Sequence, residues 1–150
     1  IMTMGWYMMM QFDPALLGCY IWSGNHSYEL IRNSQQCVIN VPTLELADQV
    51  VAVGNNTGSA VDKFGQFGLT PTAATQVEAP LIAECYASFE CQLYDSKLID
   101  EYGLFIWQVV KAHVDRSVEQ PRTLHYRGGG QFMVAGEILD FRQQFRPQNL

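Results

Sequence analysis

The stretch IMTMGWYMMMQFDP (1–14), ALLGCYIW (15–22), SGNHS (23–27), YELIRNS (28–34), CVINVP (37–42) decides the fold. Its first two pieces read as apolar strands broken at the turn dipeptide Asp13-Pro14, because aromatic and β-branched residues suit a pleated surface and proline cannot continue a ladder. The polar elbow SGNHS opens a short helix, with Leu30 and Ile31 as its apolar stripe and Glu29 in the first turn, where the helix dipole favours an acid. CVINVP resumes as strand. A small polar turn at a strand end, just ahead of a helix start, is a frequent place to hold a phosphate. The opening of the chain therefore points to a cofactor binder.

Working outward, Pro42-Thr43 starts a second helix through Leu44, Leu46, Ala47, Val50 and Val51, with Gly54 as its stop. Ser59 and Asp62 form a capping-box-like pair ahead of a third helix, which carries Phe64 and Phe67 and ends at Gly68. From Pro80 the pattern changes to long strands, LIAECYASFECQLY and LFIWQVVKAHV, separated by a polar link from Asp95 to Gly103. A last hairpin turns at Gly128-Gly129-Gly130, between Leu124–Tyr126 and Phe132–Val134, and residues 137–150 read as a peripheral tail. Two or three short helices among strands that do not alternate with them predict a mainly β, antiparallel barrel. No GxGxxG follows the first strand, which excludes a Rossmann dehydrogenase.

With 150 residues and 48% apolar content, the chain fits one globular domain, 1–150. A net charge of −6, with acids spread along the sequence, argues against nucleic acid or an anionic membrane as partner. No apolar run approaches the ~20 residues of a membrane span, and the start lacks a basic n-region, so a cytoplasmic protein is expected. Cys19, Cys37, Cys85 and Cys91 each lie in an apolar strand-like run, which suits buried thiols rather than disulfides; on one uninterrupted strand Cys85 and Cys91 would face the same side. His26, His113 and His125 are too widely spaced for a local ligand motif, so no metal site is expected. Met8, Met9 and Met10 read as core or subunit contact. No Ser-His-Asp spacing is present. Ile1 already reads as mid-strand, which predicts that N-terminal sequence is missing.

The succession MTMGW, DP, SGNHSYELI, CVINVPT, NNTGSAVDKFGQFGLT, APLIAECYASFEC and LFIWQVV, from Ile1 to about Gly136, resembles the flavin reductase-like proteins of the flavoredoxin type. The resemblance implies an FMN-binding split barrel, six-stranded and Greek-key, usually a homodimer with one FMN near each subunit boundary. It also implies a further strand before MTMGW. Hydride transfer through a flavin needs little acid–base machinery, since the flavin is the electron sink and the protein orients and tunes it.

Residue by residue, the resemblance places Thr3, Met4, Gly5 and Trp6 on the strand beside the isoalloxazine, Gly5 allowing close approach and Trp6 edging the ring. It places Asn25, His26 and Ser27 on the elbow that holds the ribityl phosphate. Ser59 and Lys63 match a second phosphate or ring contact, with Lys63 supplying a cation. Related reductases often carry Gly-Asp-His before the strand that matches LFIWQVV; here the stretch is Asp100-Glu101-Tyr102-Gly103, leaving Tyr102 as a possible nicotinamide contact. The leading expectation is an oxidoreductase that passes electrons from NAD(P)H through FMN to free flavin or an electron-acceptor protein. The alternatives are an electron-transfer flavoprotein without an NAD(P)H site, and a non-enzymatic barrel binding an apolar ligand.

Overall fold

Trp107 and Phe105 sit at the centre of a computed structural model that describes residues 1–149. Both belong to β7 (Leu104–Val114), whose side chains at every second position turn inward. Their rings stack at 5.6 Å between centroids and 2° between planes, and Tyr28 meets Phe105 edge-on at 5.4 Å. Around them pack Leu17 and Cys19 of β2 (Ala15–Tyr20), Ile21 just beyond it, Cys91 of β6 (Ala87–Asp95) and Ile99 of α4 (Ile99–Tyr102). Deleting a ring such as Phe105 from this core costs about 3–5 kcal/mol.

The main sheet is antiparallel throughout, in the order β1-β2-β7-β6-β3, with β1 spanning Tyr7–Phe12 and β3 Gln36–Val41. Two small sheets accompany it: β4 (Pro71–Thr72) with β5 (Leu81–Ile82), and the hairpin β8 (Leu124–Gly128) with β9 (Gln131–Val134). The mainly β, antiparallel expectation holds. The main sheet of the described residues has five strands, where the resemblance implied six in a barrel. Among the described residues the α-helices number four rather than two or three: α1 (His26–Ser34), α2 (Ala47–Asn55), α3 (Lys63–Phe67) and α4. None is long and apolar enough to cross a membrane.

Several local expectations are corrected. Residues 1–6 are not strand; the ladder begins at Tyr7, although Trp6 O still accepts from Tyr20 N at 3.1 Å. The second helix opens as a 3₁₀ turn at Leu44–Leu46 and runs past Gly54 to Asn55, because a single glycine weakens a helix without ending it. Asp62, not Ser59, caps α3: its carboxylate accepts from Phe64 N at 3.1 Å. LIAECYASFECQLY is two strands, since Cys85 N donates to Ile82 O and closes a turn between β5 and β6. Cys85 and Cys91 thus share no strand, and all four cysteines are free thiols. Cys19, pushed up to about 12 by burial, stays protonated.

Candidate functional site

Three of the stretches singled out in the sequence lie close to one another through contacts at Gly54 and Gly58. The first is the segment leading into β1. Met2 and Met4 pack on the main core, so the alternate residues Thr3 and Gly5 face outward. Thr3 lies against the end of α2: a Cβ built on Gly54 would come within 2.8 Å of Thr3 Oγ1. Trp6 is 73% exposed, tilted against Tyr20 with 6.0 Å between ring centroids.

The second stretch is the elbow. Asn25 N donates to Trp22 O at 2.9 Å, and Asn25 occupies the N-cap of α1 in extended conformation, yet its amide makes no capping bond. His26 and Ser27 form the first helical turn, where the N–H groups have no partner within the helix. Among the described residues no hydrogen bond engages the side chains of Asn25, His26 or Ser27. Trp22 folds over the elbow, its ring 2.5 Å from where a Cβ on Gly24 would sit.

The third stretch is the Asn56–Ala60 loop. Ser59 Oγ and Thr57 Oγ1 lie 3.0 Å apart, and Ser59 N donates to Thr57 Oγ1 at 3.4 Å. This loop meets the elbow, since a Cβ on Gly58 would stand 3.4 Å from the His26 ring. Free amide, hydroxyl and main-chain N–H donors from two elements therefore line one locus, and that donor set suits a phosphate.

Lys63 is placed differently from a free surface cation. It is 6% exposed, and its ammonium donates to Val53 O at 2.8 Å and Ile1 O at 3.0 Å. Burial lowers its pKa. Two of the three donors of the ammonium are used in tying the opening segment to the end of α2.

Tyr102 ends α4 at the same end of β2. Gly103 follows with φ +64, and a Cβ there would lie 2.8 Å from Ile21 O, so the tight return onto β2 demands glycine. Tyr102 itself is exposed, and Asp100 of the same helix pairs with Arg32 at 2.6 Å. A hydrogen bond with Glu101 raises the Tyr102 pKa.

The β8–β9 hairpin also borders these stretches. Tyr126 lies on Gly5, its ring 3.3 Å from a Cβ built there, and Tyr7 OH reaches His125 Nδ1 at 3.4 Å. The ring that packs on Gly5 in the fold is that of Tyr126. No local signal in the sequence pairs residues more than a hundred positions apart. Among the described residues, no three His, Cys, Asp or Glu side chains are grouped to hold a metal ion.

A family profile described as a flavin reductase like domain matches residues 1–142. The chain belongs to the flavin reductase-like family. An uncharacterized protein of Archaeoglobus fulgidus is 28% identical over 128 residues, covering 85% of this chain and 72% of that one. An uncharacterized protein of Pyrococcus abyssi is 31% identical over 110 residues, covering 73% of this chain and 63% of that one. Among solved structures, the FMN-binding domain of a flavin reductases-like enzyme from Shewanella baltica superposes with TM-score 0.82 at 26% identity, over 93% of this chain and 80% of that one. Flavoredoxin of Desulfovibrio vulgaris gives TM-score 0.84 at 20% identity, over 94% and 81%, and shares the fold.

Proposed function

We propose that this flavin reductase-like chain binds FMN along the groove between residues 3–6, the Ser23–Ser27 elbow and the Asn56–Ala60 loop, and works as an oxidoreductase. The observation that carries the reading is the set of unpartnered elbow side chains, Asn25, His26 and Ser27, brought against the Asn56–Ala60 loop beside an exposed aromatic edge. Asn25, Ser27 and the first N–H groups of α1 hold the phosphate, joined by Thr57 and Ser59, with His26 between the two elements. Gly5 and Trp6 face the ring, and Thr3, Met4 and Lys63 fix the segment that carries them. Bound there, FMN supplies a two-electron sink that takes hydride and returns electrons. NAD(P)H is the donor in this reading, and free flavin or an electron-acceptor protein the recipient.

A homodimer belongs to the same reading, because β1 is exposed along all six residues and carries Met8, Met9 and Met10 at a sheet edge. Protein purified from cells is expected to be yellow and to oxidise NADH or NADPH under air. A second reading, an electron-transfer flavoprotein, is favoured by one observation: Tyr102 stands where related reductases often have histidine. Yellow protein without nicotinamide oxidation would select it. Colourless protein that fails to take up added FMN would reject both.

A further inference from the structure

We propose that Tyr126 is a gate: its ring covers the outward face of Gly5, and the β8–β9 hairpin swings away to admit the flavin ring. The proposal rests on the flavin reading above. Ring carbons and Cβ of Tyr126 lie 3.3, 3.6 and 3.9 Å from the position of a Cβ on Gly5. A planar ring inserted between them needs about 3.5 Å of contact distance on each of its faces. Both rings cannot occupy that face together, so a flavin that uses Gly5 displaces Tyr126.

The hairpin is built to move as a unit about its base. Its main-chain ties to the rest of the chain lie at one end: Leu44 N to Arg122 O at 2.9 Å, Leu124 N to Pro42 O at 3.2 Å, and the bridge between Thr43 and Thr123. Towards the tip the attachments thin to the Tyr126 ring on Gly5 and the long Tyr7–His125 contact. Tyr126 is braced inside the hairpin instead, its ring 5.2 Å from Phe132 and its hydroxyl accepting from Gly130 N at 3.3 Å. The tip, Gly128-Gly129-Gly130, holds φ values of 99, 59 and 77° with nothing packed against it. β8 and β9 pair only with each other, and a lone two-stranded sheet is marginally stable, which makes it a low-energy element to shift. His125, held by Thr123 Oγ1 at 2.9 Å, travels with β8.

The test is stopped-flow and equilibrium FMN binding to the wild type, Tyr126→Ala and Tyr126→Phe, with hydrogen–deuterium exchange of residues 124–134 in the wild type with and without FMN. A gate closed about nine-tenths of the time reduces apparent affinity roughly tenfold. Tyr126→Ala is then expected to bind FMN faster and roughly tenfold tighter, Tyr126→Phe to match the wild type, and the hairpin amides to exchange faster once FMN is bound. Equal rates and affinities in wild type and Tyr126→Ala, with unchanged exchange, would leave the flavin reading standing and overturn the gate alone. Weaker binding by Tyr126→Ala would make the ring a wall of the site, and also overturns the gate. No FMN binding by any of the three overturns the flavin reading and the gate with it.

Discussion

The carboxylate of Glu90 on β6, with no exposed surface, meets Nε2 of His113 on the neighbouring strand β7 at 2.6 Å. Thr75 N and Oγ1, each at 3.0 Å, and Gln76 N at 2.5 Å donate to the same carboxylate, tying the segment between β4 and β5 to the main sheet. Burial by itself would raise the Glu90 pKa; the hydrogen bonds from His113, Thr75 and Gln76 outweigh it and hold the group at about 2.

Because the folded value lies below the ordinary 4.5, the folded protein binds fewer protons than the unfolded chain between these two values. The stability this gives is fully present above 4.5 and is lost as pH falls through about 2. Urea midpoints of the wild type should fall as pH drops below 4.5, and those of Glu90→Gln should fall less steeply. His113→Ala removes one hydrogen bond from the buried Glu90 carboxylate and should cost about 1–3 kcal/mol. Parallel pH profiles for wild type and Glu90→Gln would show that Glu90 does not carry the effect.

At the elbow, Ser27→Ala together with Asn25→Ala is expected to weaken FMN binding by roughly 1–3 kcal/mol, the range for losing hydrogen bonds to a charged group. Flavin-fluorescence titration measures it. An unchanged dissociation constant would move the phosphate elsewhere.

Lys63→Met removes two hydrogen bonds and leaves Val53 O and Ile1 O without their donor. It should lower stability by about 1–3 kcal/mol, and weaken FMN binding without changing its salt dependence. An exposed cation facing a phosphate would instead lose salt dependence on substitution. FMN titrations at low and high salt, beside urea unfolding, separate the two.

These partners explain what was legible. The β7 strand, the Gly128–Gly130 hairpin and the helix stop at Gly68 were readable because alternation and turn chemistry are local. The roles of Lys63 and Glu90 were not. Lys63 opens a helix and reads as a cation free to meet a ligand, but one of its carbonyl partners is 62 positions away. Glu90 alternates with Ser88 and Gln92 like a residue on a wet face, but its donors come from a loop 14 and 15 residues earlier and a strand 23 residues later. The helix start at the elbow is legible because a polar turn before a helix is itself a local signal, whereas its neighbour Gly58 is brought to it by the fold.

The exposed β1 predicts association. Met9 is 66% exposed on an edge strand whose other side pairs only with β2. Light scattering at micromolar concentration should report twice the chain mass, and Met9→Glu should shift it to the single-chain mass, since a buried unpaired charge is costly at an interface. A monomeric wild type with full FMN occupancy would refute the dimer.

Tyr102 separates the two functional readings. It is exposed at the end of α4, next to the glycine that returns the chain onto Tyr20 and Ile21, and so stands beside the Trp22 end of the elbow. If it stacks on a nicotinamide, Tyr102→Ala removes a neighbour of that ring and none of the flavin. The Michaelis constant for NADH or NADPH should then rise while FMN affinity stays the same, a stacking loss of about 0.5–1.5 kcal/mol corresponding to roughly 2- to 13-fold. Steady-state oxidation and an FMN titration of the same variant measure both quantities. Unchanged turnover would place the nicotinamide elsewhere, and a wild type that carries FMN but oxidises neither nucleotide would make the chain an electron carrier.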